Sequence, residues 1–170
     1  FDLIMFVWDG TLVDSIDWIV HCIQQAAAEY GCRVPEDQAA RDIIGLSIEQ
    51  AMNRLFPDAD AESRASLAAH YGQSFFSRPI GPDDLFPGVR DMLHRLKQDG
   101  YHLAVATGKK SRGLAQAIAG TGVAEFFCTT RCADQTRSKP DPLMLDEIVA
   151  EMGVDKRRAL MVGDSIHDLQ

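Results

Sequence analysis

The sequence predicts a doubly wound α/β fold: a Rossmann-like parallel sheet core with an inserted all-helical cap domain. Three observations predict it. Short apolar runs that end in turn residues recur at Leu3–Trp8, Leu103–Ala106 and Ala159–Val162. Helical periods closing at glycine lie between the second and third runs, whereas the stretch between the first two runs carries helical periods and no strand-like segment until it nears residue 82. Strands alternating with helices require crossover connections, which place helices on both faces of a parallel sheet.

The elements follow in chain order. Leu3 to Trp8 is apolar without interruption, as in a strand buried on both faces, and it runs into Asp9-Gly10-Thr11. Ile16, Ile19, Val20, Ile23, Ala27 and Tyr30 then form one helical stripe that ends at Gly31, with Asp14 or Ser15 as N-cap. Three more helices are expected over Glu36 to Ile44, Ser47 to Phe56 and Asp60 to Ser77, after which Arg78-Pro79-Ile80-Gly81-Pro82 returns the chain to the sheet. Val89, Met92, Leu93 and Leu96 form a helix face before Gly100, and Leu103–Ala106 runs into Thr107-Gly108. Leu114, Ile118 and Ala119 precede Gly122, a weaker strand is expected over Glu125 to Thr129, and Met144, Leu145, Ile148 and Met152 lead to Gly153. Ala159–Val162 finally runs into Gly163-Asp164. Residues 1–13 and 82–170 therefore read as the core and residues 14–81 as the helical cap.

Composition sets the outer limits. The chain has 170 residues, with 46% apolar and 25% charged residues, which suits one packed domain with an insertion. Seventeen Lys and Arg against 25 Asp and Glu give a net charge of -8, which disfavours a nucleic-acid partner or an anionic membrane surface. Cys22, Cys32, Cys128 and Cys132 lack the paired spacing of a zinc site and read as reduced thiols of a cytoplasmic protein. The longest apolar run is too short for a membrane span. The chain opens at Phe1 and stops at Gln170 inside what reads as a new helix, so a fragment with an uncovered sheet edge is expected, as monomer or homodimer.

Ligands of open parallel sheets bind at the carboxyl ends of the strands. The residues there are Asp9, Thr107 with Gly108, and Asp164; Lys139 joins them from the loop Ser138-Lys139-Pro140-Asp141-Pro142, and Asp168 lies one helical turn past Asp164. Carboxylates, a hydroxyl and a lysine converging on one crevice suit a magnesium-assisted phosphate site: hard oxygens hold the ion, and the lysine and amides hold phosphoryl oxygens. Taken singly, each has a plainer reading as a turn residue, a helix cap or a solvated cation.

Val7-Trp8-Asp9-Gly10-Thr11-Leu12-Val13-Asp14-Ser15, Ala106-Thr107-Gly108-Lys109, Ser138-Lys139-Pro140-Asp141-Pro142 and Gly163-Asp164-Ser165-Ile166-His167-Asp168 resemble, in order, the four motifs of the haloacid dehalogenase-like hydrolase superfamily. Arg41-Asp42-Ile43-Ile44-Gly45-Leu46-Ser47 and Leu85-Phe86-Pro87-Gly88-Val89 look most like its phosphoglycolate phosphatase branch. The resemblance implies a Mg²⁺-dependent phosphomonoester hydrolase acting on phosphoglycolate or a similar small phosphorylated metabolite. It gives Asp9 the acid-base role, Thr107 and Gly108 the phosphoryl oxygens, and Lys139 the charge of phosphate and nucleophile. It gives Asp164, Asp168 and the Asp9 carbonyl the metal.

One position departs from that pattern. Where the superfamily places its nucleophilic Asp, this chain has Val7. Valine has no lone pair, so it cannot form an aspartyl-phosphate, and loss of the nucleophile should cost on the order of a thousandfold or more in turnover. A single base change converts an Asp codon to a Val codon, and every other motif residue is retained, which favours an altered phosphatase over a long-diverged pseudoenzyme. A non-catalytic phosphate- or metal-binding protein and a phosphomutase are the alternatives. His167 reads as a solvated helix residue, and Arg33, Arg41, Arg54, Arg64 and Arg78 as surface charges, one of which could clamp a substrate carboxylate.

Overall fold

A computed structural model of the chain describes residues 1–168; the new helix read around Gln170 lies outside them. Four parallel strands, β1 (Leu3–Phe6), β2 (His102–Ala106), β3 (Thr129–Arg131) and β4 (Ala159–Val162), form one sheet in the order β3-β2-β1-β4. Leu3 pairs with His102 on one side and with Ala159 on the other, so the turns after β1, β2 and β4 emerge at the same edge. Seven α-helices accompany the strands: α1 (Ile16–Tyr30), α2 (Asp37–Asp42), α3 (Ile48–Leu55), α4 (Ala61–Phe76), α5 (Val89–Gln98), α6 (Ser111–Thr121) and α7 (Leu143–Met152).

Strand alternation divides the core between the two faces of the sheet. Ile4 and Phe6 join Leu103 and Val105 against Val89 and Leu93 of α5 and Leu114 of α6. Leu3 and Met5 join Ala104 and Ala106 against Met144 and Ile148 of α7. The central strands are apolar throughout because both faces are covered.

Three of the four expected strands lie where the apolar runs put them. The fourth is displaced: Ala124–Phe126 is a single 3-10 turn, and β3 starts only at Thr129. Val123 and Phe126 are buried in the core, so the chain turns to deliver Phe126 inward before it pairs. The ladder begins with the Cys128 amide donating to the Leu103 carbonyl at 2.8 Å.

The helices α1 to α4 follow one another with no strand between them and share apolar clusters of their own, one around Ile19, Val20, Ile23 and Phe75 and another around Ala27, Met52 and Leu67. Their ends follow local chemistry. Gly31, at φ +76°, closes α1 in the left-handed conformation. Ser47 and Gln50 form a capping box at α3, and Asp60 Oδ1 accepts the Ser63 amide at 2.7 Å at α4. All four cysteines are free, and burial pushes the Cys22 thiol up to about 11, which keeps it protonated inside the α1 packing. No described helix is long and apolar enough to cross a membrane.

Candidate active site

The turn after β1 is built around Asp9. Val7 extends the strand, its amide donating to the Val162 carbonyl at 3.0 Å, and its side chain is 3% exposed. The Leu12 amide then folds back onto the Trp8 carbonyl at 3.0 Å. Gly10 sits at φ +80°, and a Cβ there would collide with the Asp164 carboxylate, so both backbone shape and space call for glycine. Thr11 Oγ1 donates to Asp164 Oδ1 at 2.7 Å and ties the β1 turn to the β4 turn.

Asp9 has two partners. Ser15 Oγ donates to its Oδ1 at 2.6 Å, and Lys109 Nζ donates to its Oδ2 at 3.1 Å. Ser15 occupies the N-cap of α1 without capping it through its side chain, because its hydroxyl is turned to Asp9. The Lys109 ammonium also lies 4.5 Å from the Phe75 ring centroid, a cation–π contact between the sheet-edge loop and α4.

Thr107 is buried, and its Oγ1 accepts the Lys109 amide at 3.1 Å. Next to it, the helical segment presses on Gly108: a Cβ added there would stand 2.6 Å from the carbonyl oxygens of both Gly45 and Leu46. Gly108→Ala should therefore push the Ile44–Leu46 turn off the sheet edge and destabilise the fold by about 1–3 kcal/mol, measurable as a lowered urea midpoint. Gly113→Ala, whose Cβ would meet the Phe76 ring at 3.3 Å and the Lys109 side chain at 3.9 Å but no backbone, should shift the midpoint less.

Lys139 is not a solvated cation. Its Nζ donates to Asp168 Oδ1 at 2.6 Å, and the two side chains are 3% and 2% exposed. Asp168 Oδ2 accepts the Ser165 amide at 3.1 Å, which fixes the second oxygen. His167 corrects its sequence reading in the same way: it is buried in the short turn Ile166–Asp168, and its Nε2–H donates to the Asp42 carbonyl at 2.9 Å. A buried ring nitrogen facing a carbonyl must act as donor, and this bond joins the β4 turn to the end of α2.

The structure thus draws the residues at the strand ends into linked pairs: Thr11 with Asp164, Asp9 with Lys109, and Lys139 with Asp168. Val7, Asp9, Thr107 and Gly108 open onto a cavity of about 900 Å³ between the sheet edge and helices α1, α3 and α4, and Lys139, Asp164 and Asp168 lie outside its wall. Tyr71 lines the cavity, and burial, with the Asp9 charge adding to it, raises its phenol well above the usual tyrosine range, so it is a neutral hydroxyl. Of the five arginines weighed above, Arg64 lines this cavity, while Arg41 pairs with Asp17 and Arg78 with Asp84. Among the described residues no three His, Cys, Asp or Glu side chains stand close enough to hold a metal ion on their own.

The chain is similar in sequence and in fold to known proteins. The profile of the family described as haloacid dehalogenase-like hydrolase matches residues 4–170. The chain belongs to the haloacid dehalogenase-like hydrolases. Among the curated hydrolases of similar sequence is "Probable phosphatase IndB" of Dickeya dadantii, 33% identical over 98% of this chain and 74% of that protein. Another is the phosphoglycolate phosphatase of Vibrio cholerae, 31% identical over 98% of this chain and 77% of that protein. The crystal structure of β-phosphoglucomutase from Clostridium difficile superposes on 98% of this chain and 78% of its own with a TM-score of 0.87; at 15% identity this shows a common fold.

Proposed function

We propose that the chain is a phosphomonoester hydrolase in architecture whose covalent step is blocked at Val7, with residues 1–13 and 82–170 as catalytic core and 14–81 as cap. The observation that supports it is the gathering of Thr107 and of Asp9, Lys139, Asp164 and Asp168, the last four in linked pairs, at one sheet edge around a strand end where Val7 is the apolar residue. The substrate in this reading is a small phosphorylated metabolite, phosphoglycolate being the one that the relatives' names suggest.

Each residue has a task. Thr107 Oγ1 and the amide of Gly108 face the phosphoryl oxygens, and the Lys139 ammonium offsets their charge. On a Val7→Asp background, where the new carboxylate accepts the phosphoryl group as the alcohol leaves, Asp9 protonates the departing oxygen and then takes a proton from the water that displaces phosphate from that carboxylate. Ser15 and Lys109 hold its two carboxylate oxygens until substrate arrives. The donors present fit magnesium: Asp164 offers a hard carboxylate oxygen beside Gly10, where any Cβ would collide with it, and the Asp9 carbonyl is a second hard oxygen; Asp168, whose two oxygens are held by Lys139 Nζ and the Ser165 amide, would join them on giving up one of those bonds. An ion that keeps several waters and needs one or two protein carboxylates suits so sparse a set. When bound, Mg²⁺ supplies positive charge against the phosphoryl group.

Phosphate binding and turnover separate in this reading. Titrating the chain with inorganic phosphate in the presence of magnesium should give weak saturable binding that Thr107→Ala reduces, with no hydrolysis of any phosphomonoester. On a Val7→Asp background, Asp9→Asn should lower turnover about 10²–10⁴-fold by removing the proton donor. Full retention of rate in that double variant would take the acid-base role away from Asp9.

A further inference from the structure

The cavity beyond Asp9 is larger and more apolar than a two-carbon acid requires. Its inner wall is made by Ile19 and Ile23 of α1, Met52 of α3 and Tyr71 and Phe75 of α4, and at about 900 Å³ it is of the size that encloses drug-sized ligands. The space exists because α4 turns small residues toward it: Ala65, Ala68, Ala69 and Gly72 all line the wall.

Its cations are badly placed for a substrate carboxylate near the phosphate. Lys109 is engaged by Asp9 and Phe75, and Lys110 pairs with Glu49 at 2.7 Å. Arg64 is near the start of α4, whereas Phe75, the residue under Lys109, is near its end. At 1.5 Å per residue they are about 16 Å apart along the helix, far beyond the reach of a glycolate carboxylate whose phosphate sits at Thr107. Arg112, in the first turn of α6, also lines the cavity, but as an exposed side chain whose charge is solvated.

We infer that the site takes a phosphate monoester of an uncharged alcohol with a bulky apolar body, its phosphate at Thr107 and Gly108 and its body along the Ala65–Gly72 face of α4. This inference rests on the phosphate-site reading above and replaces its two-carbon substrate. Removing an apolar body from water against Ile23, Met52 and Phe75 supplies affinity that a small acid cannot gain.

Val7 makes the test simple, because intact esters can be titrated without being consumed. Binding of 1-naphthyl phosphate, phosphoglycolate and inorganic phosphate is measured by calorimetry on the chain as it stands, on Gly72→Phe and on Ala69→Leu. Gly72 has an ordinary helical backbone and a Cβ there meets nothing within 4 Å, so the first variant starts a ring into the cavity with no clash at its Cβ, and unchanged binding of inorganic phosphate certifies both variants as folded. The expected result is a preference of at least tenfold for 1-naphthyl phosphate over phosphoglycolate, falling to threefold or less in a folded variant. Equal or tighter binding of phosphoglycolate, or a preference that survives both variants, would overturn the apolar-substrate inference and leave the phosphate site standing. Failure of all three probes to bind the unaltered chain would overturn the phosphate site and this inference together.

Discussion

Lys139→Ala is expected to destabilise the protein by about 3–5 kcal/mol, because it strands the Asp168 carboxylate, whose side chain is 2% exposed, without its cation. The size of the loss comes from burial: the exposed pair of Lys156 and Asp146 makes a comparable contact, at 2.8 Å, in solvent, where such pairs contribute about 0–1 kcal/mol. Removing both charges together is the informative control. Lys139→Met combined with Asp168→Leu should recover most of the lost stability in urea unfolding, since two apolar side chains replace a pair whose desolvation offset much of its attraction. The same double variant should lose phosphate binding. A Lys139→Ala protein as stable as the parent would mean that the pair is hydrated and that Lys139 has no fixed place at the site.

Val7→Asp should have the larger effect on chemistry, a gain in phosphomonoester turnover of about a thousandfold or more. The strand end that carries Val7 already faces the cavity shared with Asp9, Thr107 and Gly108, so a carboxylate there needs no change of backbone. It does need charge compensation. Valine at 3% exposure gives way to a buried anion, so the variant should unfold at lower urea than the parent without magnesium and regain stability as magnesium is added. The parent's stability should respond to magnesium much less.

The fold was legible where burial is set by neighbours in sequence. The apolar runs at β1, β2 and β4 and the glycines that end α1, α6 and α7 are local signals, and each lies where it was read. β3 was displaced because its start depends on how Phe126 reaches the core, which is a tertiary matter. At the site, residue types at strand ends single out Asp9, Thr107, Lys139, Asp164 and Asp168 as candidates. Ser15 was read as a helix cap and Lys109 as a motif neighbour; their bonds to Asp9 span 6 and 100 residues. His167 was read as solvated because its partner, the Asp42 carbonyl, lies 125 residues away. The backbone of Gly45 and Leu46 over Gly108 has no side-chain signature, although glycine at both 45 and 108 is the trace that it leaves.

We propose that this chain carries a phosphohydrolase site complete except for its nucleophile. The most direct measurement is the initial rate of phosphate release from 4-nitrophenyl phosphate, with magnesium titrated, by the chain as it stands and by Val7→Asp under identical conditions. No release above background is expected from the first, and magnesium-dependent turnover from the second. Hydrolysis by the unaltered chain at an ordinary enzymatic rate, or a folded Val7→Asp protein that releases no phosphate, would contradict it.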